Sequence, residues 1–205
     1  DAKRGDLLVM ASKPDYDLNN LSPFISNVVA KDINERGAWL NRPLQGVYAP
    51  GSTFKIITSM AGLRGGFLDE TSKTFCGGSF SIGRSVFRCW NPAGHGEVGL
   101  HEAIRMSCNV FFYQFSQEIG VDLISNEAKR FHLHEPTGIE LPFEAKNMLV
   151  PTKAWKEKKI GEPWYPGNTA HLSIGQGYLG VTPLQMACFT AAFARKETRF
   201  TPTII

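Results

Sequence analysis

Apolar residues along the chain recur mostly at helical spacing. Phe54 to Leu63 is an apolar helix-patterned stretch that begins after the Pro50-Gly51 turn and stops at Gly65-Gly66. Leu100, Ala103 and Ile104 predict a helix over 99–106, and Val110 to Ile119 predicts a strongly apolar helix ended by Gly120. Further helices are expected over 122–131, over 151–159 as a short basic amphipathic one, and after Thr182-Pro183. Thr182 is placed as an N-cap and Pro183 at the first helical position. Gly5 to Ser12 reads as a turn and a short buried strand, and 13–41 as loop with a short helix. Residues 73–95, rich in Gly and aromatics, lack periodicity and read as an irregular excursion or small hairpin. Leu172 to Tyr178 reads as a turn-like segment. The pattern predicts an α+β chain, helix-rich with a little β-structure.

Composition adds a real core and removes some classes of function. Of 205 residues, 42% are hydrophobic and 20% charged, with a net charge of +3. There is no RNP pattern and no basic stripe interleaved with aromatics, so no nucleic-acid partner is expected. No apolar run approaches the length of a membrane span. Both ends look like mid-domain sequence, so a fragment of a longer protein is expected.

Candidate chemistry starts at Ser52-Thr53-Phe54-Lys55. Positions i and i+3 of a helix share a face, which brings the Lys55 amine within reach of the Ser52 hydroxyl. A serine needs a base to become a nucleophile, and a lysine is a base at neutral pH only when its pKa is depressed. Ser107-Cys108-Asn109 follows between two apolar helices. Its serine can relay a proton, and its asparagine carries both a donor and an acceptor for a substrate amide. Each motif alone also fits an ordinary helix cap, with Lys55 solvated.

Together, S-x-x-K and S-x-N resemble the penicillin-recognising serine enzymes. The run Gln45 to Lys55 resembles the active-site segment of class B penicillin-binding proteins. Asn91 to Gly96, Phe111 to Gln114, Pro136 to Leu141, Trp164 to Thr169, Gly175 to Tyr178 and Thr182 to Met186 resemble the elongation-type subfamily, penicillin-binding protein 2. The resemblance implies a penicillin-binding/β-lactamase-like transpeptidase fold: a helical subdomain plus an incomplete antiparallel sheet. It implies a peptidoglycan D,D-transpeptidase that cross-links stem peptides through a Ser52 acyl-enzyme and is acylated by β-lactams. Lys55 would be the general base, Ser107 the proton relay, and Asn109 with Gly175, Gln176 and Gly177 would bind substrate. The family's third motif, Lys-Thr-Gly, does not occur in the chain, and Lys73-Thr74-Phe75 is not it. Residues 1–205 are therefore expected to be the N-terminal part of one transpeptidase domain, with an incomplete active site and an unpaired sheet edge. A serine β-lactamase, a D,D-carboxypeptidase and a non-catalytic β-lactam sensor share the motifs. The resemblance further implies an inner-membrane protein with a periplasmic catalytic domain, an anchor outside this chain, a membrane glycan polymerase and other elongation-complex proteins as partners.

Four cysteines, Cys76, Cys89, Cys108 and Cys188, remain to be placed. Cys76, Cys89, His95 and Cys108 follow at intervals of 13, 6 and 13 around the irregular excursion. Three thiolates and an imidazole make a closed tetrahedral set of the structural-zinc kind, and zinc would hold an excursion of about 73–109 that has little core of its own. A Cys76–Cys89 disulfide is the alternative. Some members of the elongation-type subfamily carry zinc there, with acidic residues in place of Cys76 and Cys89. Cys188 is expected in the core. The charge run from Trp155 to Lys159 reads as a solvated helix face. Asn168 stands where the subfamily often has aspartate.

Overall fold

A computed structural model describes residues 1–204, which form two compact units. The first unit comprises 1–48, 135–148 and 181–204. It contains β1 (Asp6–Leu7), α1 (Asn27–Arg36), α2 (Arg42–Gln45), α8 (Pro183–Ala194) and β6 (Thr203–Ile204). Leu44, Ile139 and Leu184 form its small core, with Leu7, Leu141 and Cys188 packed against them. Cys188, expected in the core, is half-buried against its edge. Thr182 caps α8 as expected: its Oγ1 accepts the Gln185 N–H at 3.1 Å, and Gln185 Oε1 accepts the Thr182 N–H at 2.9 Å.

The buried strand expected over 5–12 is much shorter. Only Asp6 and Leu7 pair, in parallel with Thr203 and Ile204. Leu8 and Val9 are 68% and 81% exposed. Their apolar character fits a sheet position, but among the described residues no strand or helix covers them. Antiparallel ladders occur instead in the second unit.

That unit comprises 49–134 and 149–180. It contains α3 (Lys55–Arg64), β2 (Lys73–Cys76), β3 (Ser79–Ile82), β4 (Ser85–Arg88), β5 (Gly96–Gly99), α4 (Leu100–Arg105), α5 (Asn109–Arg130), α6 (Lys153–Ile160) and α7 (Pro166–Ser173). The central element is α5, which packs against α3 on one side and α7 on another. Phe54, Ile57, Phe111, Phe112, Ile124 and Leu172 are all less than 2% exposed and make the core that holds these helices together. The two helices expected over 110–131 meet end to end in α5, interrupted at Gly120 with φ 77° and ψ 159°. A side chain rarely adopts that conformation, so glycine permits the break.

Residues 73–99 hold more β-structure than the sequence promised. β3 and β4 form the expected hairpin, turned by Gly83-Arg84 with Gly83 at φ 57°. β2 pairs antiparallel with β5 across the hairpin. Four-residue strands are too short to show a period, which is why this ladder was illegible. α7 has no counterpart among the helices expected from the sequence. Pro166 sits in the first helical turn, where its missing N–H costs nothing.

Candidate active site and cysteine cluster

Ser52 lies on a tight turn of 3₁₀-helix, Gly51–Phe54, that runs directly into α3. Residues three apart eclipse one another in such a turn, so Ser52 and Lys55 leave the backbone on the same side. Their environments differ. Ser52 is exposed, whereas Lys55 is 1% exposed. Gly51 N–H is taken by the Gly175 carbonyl at 2.9 Å. The Ser52 N–H is one of the first-turn donors that have no partner inside a helix.

The Lys55 amine is held by the Ser107-Cys108-Asn109 junction. Nζ lies 2.8 Å from the Ser107 carbonyl, 3.0 Å from Ser107 Oγ and 2.7 Å from Asn109 Oδ1. An ammonium has three N–H donors, and these three acceptors use them all. The direct Lys55–Ser52 contact expected from the i, i+3 spacing is replaced by a relay. Ser107 Oγ is 2.9 Å from Ser52 Oγ, so Ser107 stands between nucleophile and base. The helical spacing put Lys55 on the right face, but the amine is drawn inward by acceptors from the α4–α5 junction.

Ser107 achieves this in a left-handed conformation, φ 53°, unusual outside glycine. Two bonds that close α4 hold it there: Ser107 N–H to Ile104 O at 3.1 Å and Cys108 N–H to Ala103 O at 2.9 Å. Asn109 opens α5, and its N–H donates to Cys89 Sγ at 3.4 Å. Its Nδ2 and the Tyr113 hydroxyl both lie 3.4 Å from the Arg88 carbonyl. The support from the Arg88 carbonyl of β4 carries no sequence signal, since a backbone carbonyl looks the same under every residue type.

Burial lowers the Lys55 pKa to about 8, while the nearby Cys108 and Cys89 sulfurs pull the other way. The amine is thus placed to lose its proton near neutral pH. The ring of Phe112 lies 5.4 Å from Nζ, within cation–π range of the charged amine.

The three remaining residues expected at the site sit around the same turn. Gly175, at φ 72°, presses its backbone against Gly51; a Cβ there would lie 2.2 Å from the Gly51 carbonyl oxygen. Gly175→Ala is expected to cost about 3 kcal/mol from strain and overpacking. A thermal melt together with the β-lactam labelling rate checks this; full retention of both would remove Gly175 from the account. Gln176 is exposed and Gly177 continues the loop at φ 75°. Neither is hydrogen-bonded to Ser52, Lys55, Ser107 or Asn109 among the described contacts.

Cys76, Cys89, His95 and Cys108 converge, as the intervals predicted, with their ligand atoms all within 4.8 Å of one another. The three cysteines are free thiols and buried. His95 Nδ1 lies 3.5 Å from Cys76 Sγ and 3.6 Å from Cys89 Sγ. Zinc with its usual Zn–S and Zn–N bonds gives a tetrahedral S···N edge of about 3.5 Å, so the residues present fit that ion. The cluster joins β2, the end of β4, the segment before β5 and the α4–α5 junction. Cys108 lies between Ser107 and Asn109, so the cluster and the candidate active site share a backbone.

The serine–lysine turn, the Ser-x-Asn junction and the packing of α3, α5 and α7 define a penicillin-recognising serine-enzyme fold. The family model of the penicillin-binding protein transpeptidase domain matches residues 1–205, and the chain belongs to that family. Among curated relatives, the peptidoglycan D,D-transpeptidase MrdA of Acinetobacter baumannii is 34% identical over 212 residues, covering 100% of this chain and 31% of that protein. The chain thus spans about a third of the length of the curated relatives it matches. Among solved structures, the penicillin-binding protein PBP2 of Helicobacter pylori superimposes with a TM-score of 0.93 at 33% identity, over 99% of this chain and 39% of that one. That protein has also been solved in complex with MreC. PBP2 of Pseudomonas aeruginosa, solved in complex with WCK 5153, gives a TM-score of 0.91 at 35% identity, over 98% of this chain and 47% of that one.

Proposed function

We propose that the protein is a peptidoglycan D,D-transpeptidase of the elongation type, with Ser52 as its nucleophile. The observation that carries the reading is the Ser52–Ser107–Lys55 relay, with Oγ···Oγ 2.9 Å and Oγ···Nζ 3.0 Å. In its neutral form Lys55 has a free lone pair. It takes the proton of Ser107, which takes that of Ser52, and Ser52 Oγ attacks the carbonyl of the terminal D-Ala-D-Ala bond. The Ser52 N–H supplies one oxyanion donor. The second would come from a strand carrying Lys-Thr-Gly, a triplet that these 205 residues do not contain; they would form the N-terminal part of one transpeptidase domain. Collapse of the tetrahedral intermediate breaks the C–N bond, and the relay returns the proton to the departing D-alanine amine. An acceptor amine then attacks the Ser52 ester, gives its proton to the same relay and restores the Ser52 hydroxyl. Asn109, with Oδ1 fixed by Lys55, would present its Nδ2 to the donor peptide, and Gln176 and Gly177 would line its path. A β-lactam follows the first half, with the ring C–N bond opening.

Cys76, Cys89, His95 and Cys108 would hold a structural zinc ion, which supplies no reactive group and ties the β2–β5 and β3–β4 ladders to the Ser107–Asn109 junction. No helix among the described residues is long and apolar enough to cross a membrane; the proposed inner-membrane anchor lies outside them, with this domain in the periplasm. The H. pylori relative's complex with MreC supports elongation-complex proteins as partners; a membrane glycan polymerase would join them by the family resemblance alone. Full-length protein given a D-Ala-D-Ala donor peptide and an amine acceptor is expected to release D-alanine and form the cross-linked amide. Release with hydrolysis alone would make it a carboxypeptidase, and rapid turnover of penicillin a β-lactamase; either result overturns the transpeptidase reading.

A further inference from the structure

Lys156 is a buried lysine that the acylation chemistry leaves unused. It was expected on a solvated helix face within the run 155–159, yet its side chain is 1% exposed. The reason is the company it finds. Nζ lies 2.9 Å from the Pro163 carbonyl, 3.0 Å from Asn168 Oδ1 and 3.2 Å from Glu162 Oε2. The rings of Tyr165 and Tyr178 lie 4.4 Å and 5.9 Å from it. All three donors of the amine are thereby matched. Glu162 is the weakest of these partners, its side chain being 55% exposed and open to screening by water. Burying an amine so completely is costly unless it is fully bonded, so the site is organised around it.

These partners bracket one end of α7. Asn168 Oδ1 also accepts the Tyr165 N–H at 3.0 Å, and the Asn168 N–H donates to Tyr165 O at 2.9 Å, which closes the first turn. The other end of α7 meets the nucleophile helix. Thr58 Oγ1 donates to Ser173 O at 2.8 Å, and Gly51 N–H donates to Gly175 O at 2.9 Å. α7 is thus a strut about 12 Å long, fastened to Lys156 at its start and to the Ser52 turn just past its end. Tyr178, on the far side of Gly175-Gln176-Gly177, packs against Trp155 with ring centroids 5.3 Å apart. The glycine loop is therefore held at Gly175 by the Ser52 turn and at Tyr178 by α6.

We infer that Lys156 is a positioning residue for acylation: by fixing the first turn of α7 and the ring of Tyr178, it sets the Gly175–Gly177 loop against the Ser52 turn. The inference rests on the reading of Ser52 as nucleophile. Lys156 is hydrogen-bonded to none of the four reacting-site residues and acts through α7.

The test compares Lys156→Met, Lys156→Gln and Glu162→Gln in the full-length protein. Three quantities are read: the fraction of molecules labelled by a fluorescent penicillin, the second-order rate of labelling, and hydrogen exchange of a peptide spanning 171–178. Lys156→Met is expected to label the wild-type fraction at a rate about tenfold lower, the cost of a small misplacement, with an unchanged pH midpoint and faster exchange at Gly175 and Gln176. Lys156→Gln, which keeps N–H donors for Asn168 and Pro163, recovers part of the rate. Glu162→Gln behaves as wild type. A wild-type rate in Lys156→Met overturns the inference. So does a reduced labelled fraction whose members react at the wild-type rate, since that is loss of fold and not of position. If the wild-type protein labels away from Ser52, the proposed function fails; the exchange measurement still decides the strut, with unchanged exchange in Lys156→Met counting against it.

Discussion

Lys55→Met lowers the rate of β-lactam acylation of the full-length protein by about a thousand-fold, the middle of the range for removing a general base. The argument is one of lone pairs. In the ammonium form, Lys55 spends all three N–H groups on Ser107 O, Ser107 Oγ and Asn109 Oδ1, and it has nothing with which to accept a proton. Loss of one proton frees a lone pair toward Ser107 Oγ, which already sits 2.9 Å from Ser52 Oγ. Activity therefore needs the neutral amine. Burial brings its pKa down to about 8, so the wild-type rate rises with pH through that value and levels off above it. Below that pH the protonated fraction grows and the rate falls tenfold per unit. Methionine fills the buried space without a base, so the variant's residual rate is flat across the same window. A folded variant with wild-type rates, or a wild-type profile that falls between pH 7 and 9, would contradict the relay. Ser107→Ala should share much of the loss, because without its hydroxyl nothing bridges Ser52 and Lys55.

Loss of the proposed zinc on chelation of the full-length protein is the second large effect expected. The Cys76–Cys89–His95–Cys108 cluster ties two short ladders and the catalytic junction together, and four-residue strands bury little surface of their own. Loss of a structural metal belongs to the small set of changes that cost roughly 4 kcal/mol or more, which lowers the melting temperature of this domain by about 10 °C. Acylation should slow as well, by at least about tenfold, because the Asn109 N–H rests on Cys89 Sγ and Cys108 adjoins Ser107. Metal analysis should find about one zinc per protein, and Cys89→Ser should reduce both zinc content and melting temperature. Protein that holds no zinc, with Cys76 and Cys89 joined by oxidation, would contradict this.

Most of what positions the site was legible because it obeys helical periodicity. α3, α4, α5 and α8 follow from their apolar spacing, and Thr182-Pro183 marks the start of α8. The convergence of Ser52, Lys55, Ser107 and Asn109 followed from two short motifs and the family they resemble. The cysteine cluster followed from three intervals among four ligand-type residues, since ligand chemistry survives where periodicity is missing. What stayed hidden depends on tertiary partners. Gly5 to Ser12 carries a strand's composition, but only Asp6 and Leu7 find a pairing partner among the described residues. The β2–β5 ladder is too short to reveal a period. Lys156 looks like its neighbours Lys158 and Lys159, yet lies buried because Pro163, Asn168 and Tyr165 supply acceptors and a ring from outside α6. Ser107 between Ser52 and Lys55 was likewise a matter of where three acceptors draw one amine. A linear sequence shows which residues carry chemistry more readily than which of them stands between the others.

The Ser52–Ser107–Lys55 relay predicts Ser52 as the acylated nucleophile. The most direct measurement is mass spectrometry of the full-length protein after reaction with a penicillin, followed by mapping of the adduct. A single stoichiometric adduct on the peptide containing Ser52, absent from Ser52→Ala, is the predicted result. An adduct on any other residue, or labelling that survives Ser52→Ala, would contradict it.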